Sequence, residues 1–311
     1  MLSRVAEDLY WFGRYMQRAE NTARLLATHS DLVLDMPRKF DVGWSTLVEI
    51  LGVGPLFVKR YDERYNEMDV VRFLLLDQEN AGSIASSVSS AREILRTVRE
   101  SMPQETWEHI NNLHMQLQDI GEKSLGRGKR QGLLQQVVDT ALMTYGIVTA
   151  SMSHDVGYQF MRLGTSLEQA DMTTRIIDVR AASLPGSRAS DELTRSFQNL
   201  QWMSALQSLT AYHMYRRHER SRVSGTAVLR FLLQSREFPR SVMYCFALIG
   251  RTLPQLPTSR SPERALERVR ALVQDANIER LLEQGLHDWI DEVQVGIGKL
   301  HAALAESYFN A

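Results

Sequence analysis

The chain has 311 residues, 44% of them hydrophobic and 23% charged, with 36 Lys and Arg against 37 Asp and Glu for a formal net charge of −1. Those proportions belong to a packed globular protein and exclude disordered and collagen-like classes. A charge this close to zero supplies no global attraction to nucleic acid or to an anionic membrane, so neither is expected as a partner.

Only 8 prolines punctuate the chain, and apolar residues between them recur at steps of three and four, the spacing of one helix face. The fold class expected is all-α, with roughly ten or more helices. The first helix should run from a cap at Ser3 to just before Met36-Pro37, because the residue ahead of a proline is pushed out of the helical region. Helices follow over Trp44 to Leu51, Glu67 to Leu76, Ser83 to Met102, Gln104 to Gly121, and Gln131 to Ala182 with a break near Asp155 to Gly157. About five more are expected. Ser190-Asp-Glu opens one, Pro239 at a first turn opens another, Ser261-Pro262-Glu263 opens a third, and Asn277 opens a long final helix. Gly126 to Gly132 and Pro185-Gly186-Ser187 read as loops, being rich in helix breakers.

The first helix carries Val5, Leu9, Phe12, Met16, Ala19, Ala23, Leu26, Ser30 and Val33, spaced four and three as a seam against a partner helix requires. Adding 151 to each number gives Val156, Phe160, Leu163, Leu167, Ala170, Thr174, Ile177, Ala181 and Leu184. At an offset of 158, Trp44, Thr46, Val48 and Leu51 meet Trp202, Ser204, Leu206 and Leu209. The pattern reads as an internal duplication: two helical-bundle halves, residues 1–125 and 133–311, joined by a linker at 126–132 and packed as one body. Repeats this long are not solenoid units.

The segment from Leu2 to Leu26, LSRVAEDLYWFGRYMQRAENTARLL, resembles the opening of the bacterial alpha-E family, helical domains named for a Glu-Arg motif. Asn80, Ala91 to Arg96, Glu105 to Asn111, Leu163-Gly164, Ala170 to Ile177, and Phe238 to Val242 with Tyr244-Cys245 fit the same family. Each half keeps one member of the Glu-Arg pair, with Gln17-Arg18 in the first and Glu168-Gln169 in the second. The resemblance implies a role beside ATP-grasp amide-bond ligases and transglutaminase-like proteins in bacterial peptide synthesis or modification. It implies no cofactor and carries no catalytic residue over to this chain.

Residue chemistry adds candidates for binding a ligand or a partner. Gly13, Gln17, Glu20 and Arg24, and their counterparts Gly164, Glu168, Asp171 and Arg175, lie four, three and four apart and therefore on one face each. The glycines let another helix approach and draw acid and arginine toward an interface. There they would either grip a carboxylate, amide or phosphate of a peptide-like ligand or act as ion pairs that fix how two helices dock. Arg14, on the same helix, is a further candidate. Arg240 and Ser241 stand where a helix begins, which suits an anion or a simple cap. Lys129-Arg130 and Arg216 to Arg222 are basic runs that would meet phosphates or lie solvated at helix ends.

Other chemistry is not expected. No Glu-x-x-His occurs, so a carboxylate-bridged metal pair has no ligands and no metal is expected. The phosphate-cradling glycine loop is missing too. The one cysteine, Cys245, sits in an apolar run, excludes an intrachain disulfide and a cysteine zinc cluster, and points to the cytoplasm. The opening residues include Glu7 and Asp8 and lack a signal-peptide core. The apolar stretches fall short of the ~20 residues of a spanning helix, so no membrane role is expected. A non-catalytic helical partner of a ligase system is the favoured function; an enzyme of unrecognised type, a peptide or amide transferase or hydrolase working through the stripes, is the alternative.

Overall fold

A computed structural model describes residues 3–35, 43–120, 125–182, 192–257 and 260–310. The protein is all-α, with fifteen α-helices and no strand among the described residues. They are α1 (Ser3–Asp35), α2 (Ser45–Ile50), α3 (Gly54–Tyr61), α4 (Glu67–Leu75), α5 (Ile84–Thr97), α6 (Gln104–Gln118), α7 (Arg127–Ser151), α8 (Val156–Ala182) and α9 (Glu192–Ser208), then α10 (Tyr212–His218), α11 (Gly225–Gln234), α12 (Val242–Thr252), α13 (Arg260–Gln274), α14 (Ile278–Glu283) and α15 (Leu286–Tyr308). No helix among the described residues is long and apolar enough to cross a membrane.

Two compact units share the chain. The first comprises Met1–Ala27, Gly43–Glu168 and Tyr308–Ala311; the second comprises Thr28–Val42 and Gln169–Ser307.

In the first unit α5 packs on α6 and α6 on α7, while α2 lies against α3 and α4. Phe57, Tyr61, Tyr65 and Phe73 form an aromatic nucleus there, with Phe57 stacked on Tyr61 and Tyr65 and edge-on to Phe73 at 5.2 Å. In the second unit α11 is central, touching α9, α12, α13 and α14. Tyr215 meets Phe231 edge-on at 5.7 Å, and Phe231 stacks on Phe238. Side-chain caps set several helix starts by accepting an orphan backbone N–H: Asn66 for α4, Ser83 for α5, Ser224 for α11, Ser241 for α12 and Asn277 for α14.

The structure differs from the sequence reading at identifiable places. Residues 127–132, expected as a loop and linker, are the first turns of α7, with Gly126 as its N-cap; three glycines in the seven positions 126–132 do not outweigh the packing of Arg130 and Leu134, both buried. Asn277 opens only the six-residue α14, because Gly285 at φ +81° turns the chain before α15 begins. Pro239 lies ahead of α12 and Ser241 is the cap, so the helix starts later than its proline suggested. α5 stops at Thr97 and gives way to a 3-10 turn at Arg99–Ser101. The Pro185 to Ser190 loop and the Ser190-Asp191 helix signal lie outside the described residues.

Candidate functional site

Helices α1 and α8 cross within the first unit at their glycines. A Cβ on Gly13 would stand 2.3 Å from the Met161 carbonyl oxygen and 2.9 Å from Thr165 Oγ1, and one on Gly164 would stand 2.0 Å from the Tyr10 carbonyl oxygen. Each glycine thus meets the residues three before and one after the other glycine, a reciprocal contact that only side-chain-free positions permit.

One turn past that crossing, Glu168 is 3% exposed and receives two arginines from successive turns of α1. Arg14 Nε donates to Oε2 at 2.7 Å; Arg18 Nε donates to Oε1 at 2.6 Å and its Nη2 to Oε2 at 3.1 Å. The Arg18 contact is bidentate, the geometry guanidinium offers a carboxylate. Aromatic rings flank both cations: the Arg14 guanidinium lies 5.1 Å from the Trp11 ring centre and that of Arg18 5.8 Å from Tyr15. Burial pushes the Glu168 carboxyl upward, but the charges and hydrogen bonds of Arg18 and Arg14 outweigh it and hold the group below its usual range. Tyr10, buried beside Arg14, is pushed up to about 12, chiefly by burial, and stays neutral.

Arg18, which follows Gln17, and Glu168, which precedes Gln169, therefore meet in space as one Glu-Arg ion pair.

The other stripe residues pair within their own helices. Glu20, 4% exposed, accepts from Arg24 Nε at 2.7 Å and from Gln17 Nε2 at 2.9 Å, and Gln17 also reaches Asn21 at 3.2 Å. In the second unit Arg175 Nε donates to Asp171 at 2.8 Å, with the Arg175 side chain 32% exposed. Arg240 Nη1 donates to Gln169 Oε1 at 3.0 Å, and its backbone carbonyl accepts from Thr173 at 2.9 Å. Ser241 is fully buried, accepts from the Tyr244 N–H at 3.1 Å as the α12 cap, and donates to the Ser235 carbonyl.

Of the basic runs only Arg130 is buried: it is 2% exposed and pairs with Glu67 at 2.5 Å. Arg216 donates to the carbonyls of Ser221 and Arg220, and Lys129, Arg217, Arg220 and Arg222 are exposed. Cys245 is buried, and that burial pushes its thiol up to about 12, too high for a nucleophile at neutral pH.

Three features escaped the sequence. Arg18 was visible as half of a motif but not as a partner of Glu168, because their pairing depends on the crossing of α1 and α8. Arg180 and His29 lie fully buried in the second unit; burial brings Arg180 down to about 10, and burial together with Arg180 brings His29 down to about 3. Asp178, His287 and Asp291 form a cluster whose ligand atoms all lie within 4.8 Å of one another; Asp178 and His287 are 109 residues apart, beyond any spacing rule.

Compared with known proteins, the chain is similar to an uncharacterised protein of Mycobacterium bovis, at 24% identity over 326 residues covering 97% of this chain and 36% of that protein. Uncharacterised proteins of two Mycobacterium tuberculosis strains match with the same identity and coverage. The chain thus spans about a third of the length of these relatives. No solved structure matches it. The family model described as a predicted alpha-helical domain with a conserved ER motif matches residues 1–309, and the chain belongs to that family, Alpha-E.

Proposed function

We propose that the chain is a non-catalytic helical partner in an ATP-grasp amide- or peptide-ligase system, binding the ligase or its peptide-like product. The observation that supports this most is the state of Glu168. A general acid or base works with a pKa near the operating pH and a proton it can pass to substrate. Glu168 is buried, held as an anion below its usual range, and bonded through both oxygens by Arg14 and Arg18. Glu20 is likewise engaged by Arg24 and Gln17. Groups committed to each other in this way fix a helix crossing; they do not turn over substrate. In the mycobacterial relatives the matching region is 36% of a longer chain, which suits a module that works beside other domains.

The same reading includes a duplicated plan. Its support is a repeated order of elements. Asn66 and Ser224, 158 residues apart, cap α4 and α11, Ser83 and Ser241 cap α5 and α12 at the same spacing, and the edge-on pair of Phe57 with Phe73 has its counterpart in Tyr215 with Phe231. The reciprocal glycine contacts of α1 and α8 fit two equivalent helices related by an approximate twofold axis.

The experiment is co-purification from the native cell with mass spectrometry of bound protein and small molecules. The expected result is an ATP-grasp-type ligase or a peptide-like product held in fixed ratio. Turnover of a peptide or amide by the purified chain, lost on Glu168→Gln without loss of folding, would replace this reading by the enzymatic one.

A further inference from the structure

On the second unit, α8 and α15 bring together a histidine and carboxylates that neither the salt-bridged crossing nor the proposed partner role uses. His287 stands in the first turn of α15 and Asp291 one turn later, at i and i+4 and so on one face. Asp178 approaches from α8. Its Oδ1 lies 2.8 Å from His287 Nδ1. A carboxylate of this kind only accepts, so Nδ1 carries the proton and donates it, which leaves the Nε2 lone pair free in the neutral ring. Nε2 points toward Asp291, whose Oδ2 is 3.8 Å away. Twice a zinc bond to nitrogen or oxygen is about 4.2 Å, so one ion spans that gap without moving the backbone. Metal-bound histidines commonly hand their other N–H to a carboxylate, which sets the tautomer and raises ligand basicity; Asp178 occupies that position here.

The local field favours a cation as well. The carboxylates of Asp178 and Asp291 both lie within 4 Å of the ring nitrogens, so a cation placed there meets negative charge from two sides. Asp178 is the buried member, its side chain 14% exposed, so the orienting contact is protected from water. His287 and Asp291 are 65% and 57% exposed, which leaves the remaining coordination positions to water and makes the site reachable from solution.

We propose that His287 Nε2 and Asp291 form a surface site for a borderline divalent cation of the zinc type, with Asp178 as the positioning residue behind the histidine. Imidazole with carboxylate and water suits zinc better than calcium or magnesium, which take oxygen ligands alone.

The test titrates zinc chloride into the tag-free full chain by calorimetry, with cobalt as a spectroscopic substitute. Wild-type protein is expected to bind one equivalent saturably, with cobalt absorption that reports a nitrogen ligand. His287→Ala should weaken zinc at least tenfold. Asp178→Asn should weaken it roughly 10–100-fold while the cobalt spectrum retains its nitrogen ligand, the signature of a positioning residue and not of a ligand. His287 is exposed, so its replacement is not expected to disturb folding, and a thermal melt of each variant checks this. Absence of saturable binding by the wild type, or equal binding by His287→Ala, would overturn the site and reduce the cluster to an ion pair between α8 and α15.

Discussion

Glu168→Gln puts the α1–α8 crossing to a direct test. The glutamine keeps one acceptor oxygen but presents an NH2 group to a guanidinium that already faces it with donors, so at least one of the three N–H bonds at 2.6–3.1 Å is lost and a donor clash replaces it. Two cations then share a site without their counter-charge. Breaking a buried pair by removing one member costs about 3–5 kcal/mol. The Arg18 side chain keeps 21% of its exposure and recovers some hydration, which places the expected loss near the lower end, about 3 kcal/mol. At about 2.1 cal/mol/K of unfolding entropy per residue, a loss of this size in a chain of 311 residues should lower the melting temperature by roughly 5 °C.

The pH dependence carries a sign. Glu168 has a folded pKa below its unfolded value of 4.5, so its contribution is fully present above that value and is lost as pH falls through the folded pKa. The gap between wild type and variant should therefore be constant from pH 8 to 5.5 and narrow below about 4.5. Thermal melts across that range make the measurement. A Glu168→Gln protein as stable as wild type at pH 7 would refute the reasoning, and so would a gap that widens on acidification.

Further outcomes are expected. Gly164→Ala, whose Cβ would meet the Tyr10 carbonyl at 2.0 Å, should cost on the order of 2–3 kcal/mol despite the better helix propensity of alanine, as read by urea unfolding. His29 is held neutral, with a folded pKa near 3 against 6.5 unfolded, so the unfolded chain binds the extra proton and stability falls as pH drops from 6.5; His29→Leu should remove roughly 1.5–2 kcal/mol of that loss between pH 6.5 and 5. Arg24→Met, which strips a nearly buried Glu20 of its cation, should destabilise by about 2 kcal/mol, whereas Arg175→Met should cost under about 1 kcal/mol because that pair is partly in water.

What the sequence revealed follows the range of the physics involved. Helix starts are local: Ser83 and Asn277 are readable as caps, because a side chain three residues away satisfies the orphan N–H. The pairs Glu20 with Arg24 and Asp171 with Arg175 are equally local, since four residues is one helical turn. Gly13 and Gly164 could be read as points of close approach, but not as each other's partners. Which helix fills a glycine groove depends on crossing geometry, and so the meeting of Arg18 with Glu168, 150 residues apart, was hidden. The short helices α3, α10 and α11 are not legible individually, because seven to ten residues give too little periodicity. In residues 127–132 the glycines argued for a loop, and burial of Arg130 against Trp44 and Glu67 prevailed.

On the proposed reading, the Arg14, Arg18 and Glu168 cluster holds the fold and a partner would bind elsewhere on the chain. The most direct measurement compares wild type with the apolar replacement Arg14→Met, Arg18→Met and Glu168→Leu in one protein, reading the melting temperature together with co-purification of an ATP-grasp-type ligase. The triple variant is expected to be much closer to wild type in stability than Glu168→Gln alone, and to retain the ligase at the same ratio. A triple variant that folds with wild-type stability yet loses the ligase would contradict that reading and make the cluster the binding site itself.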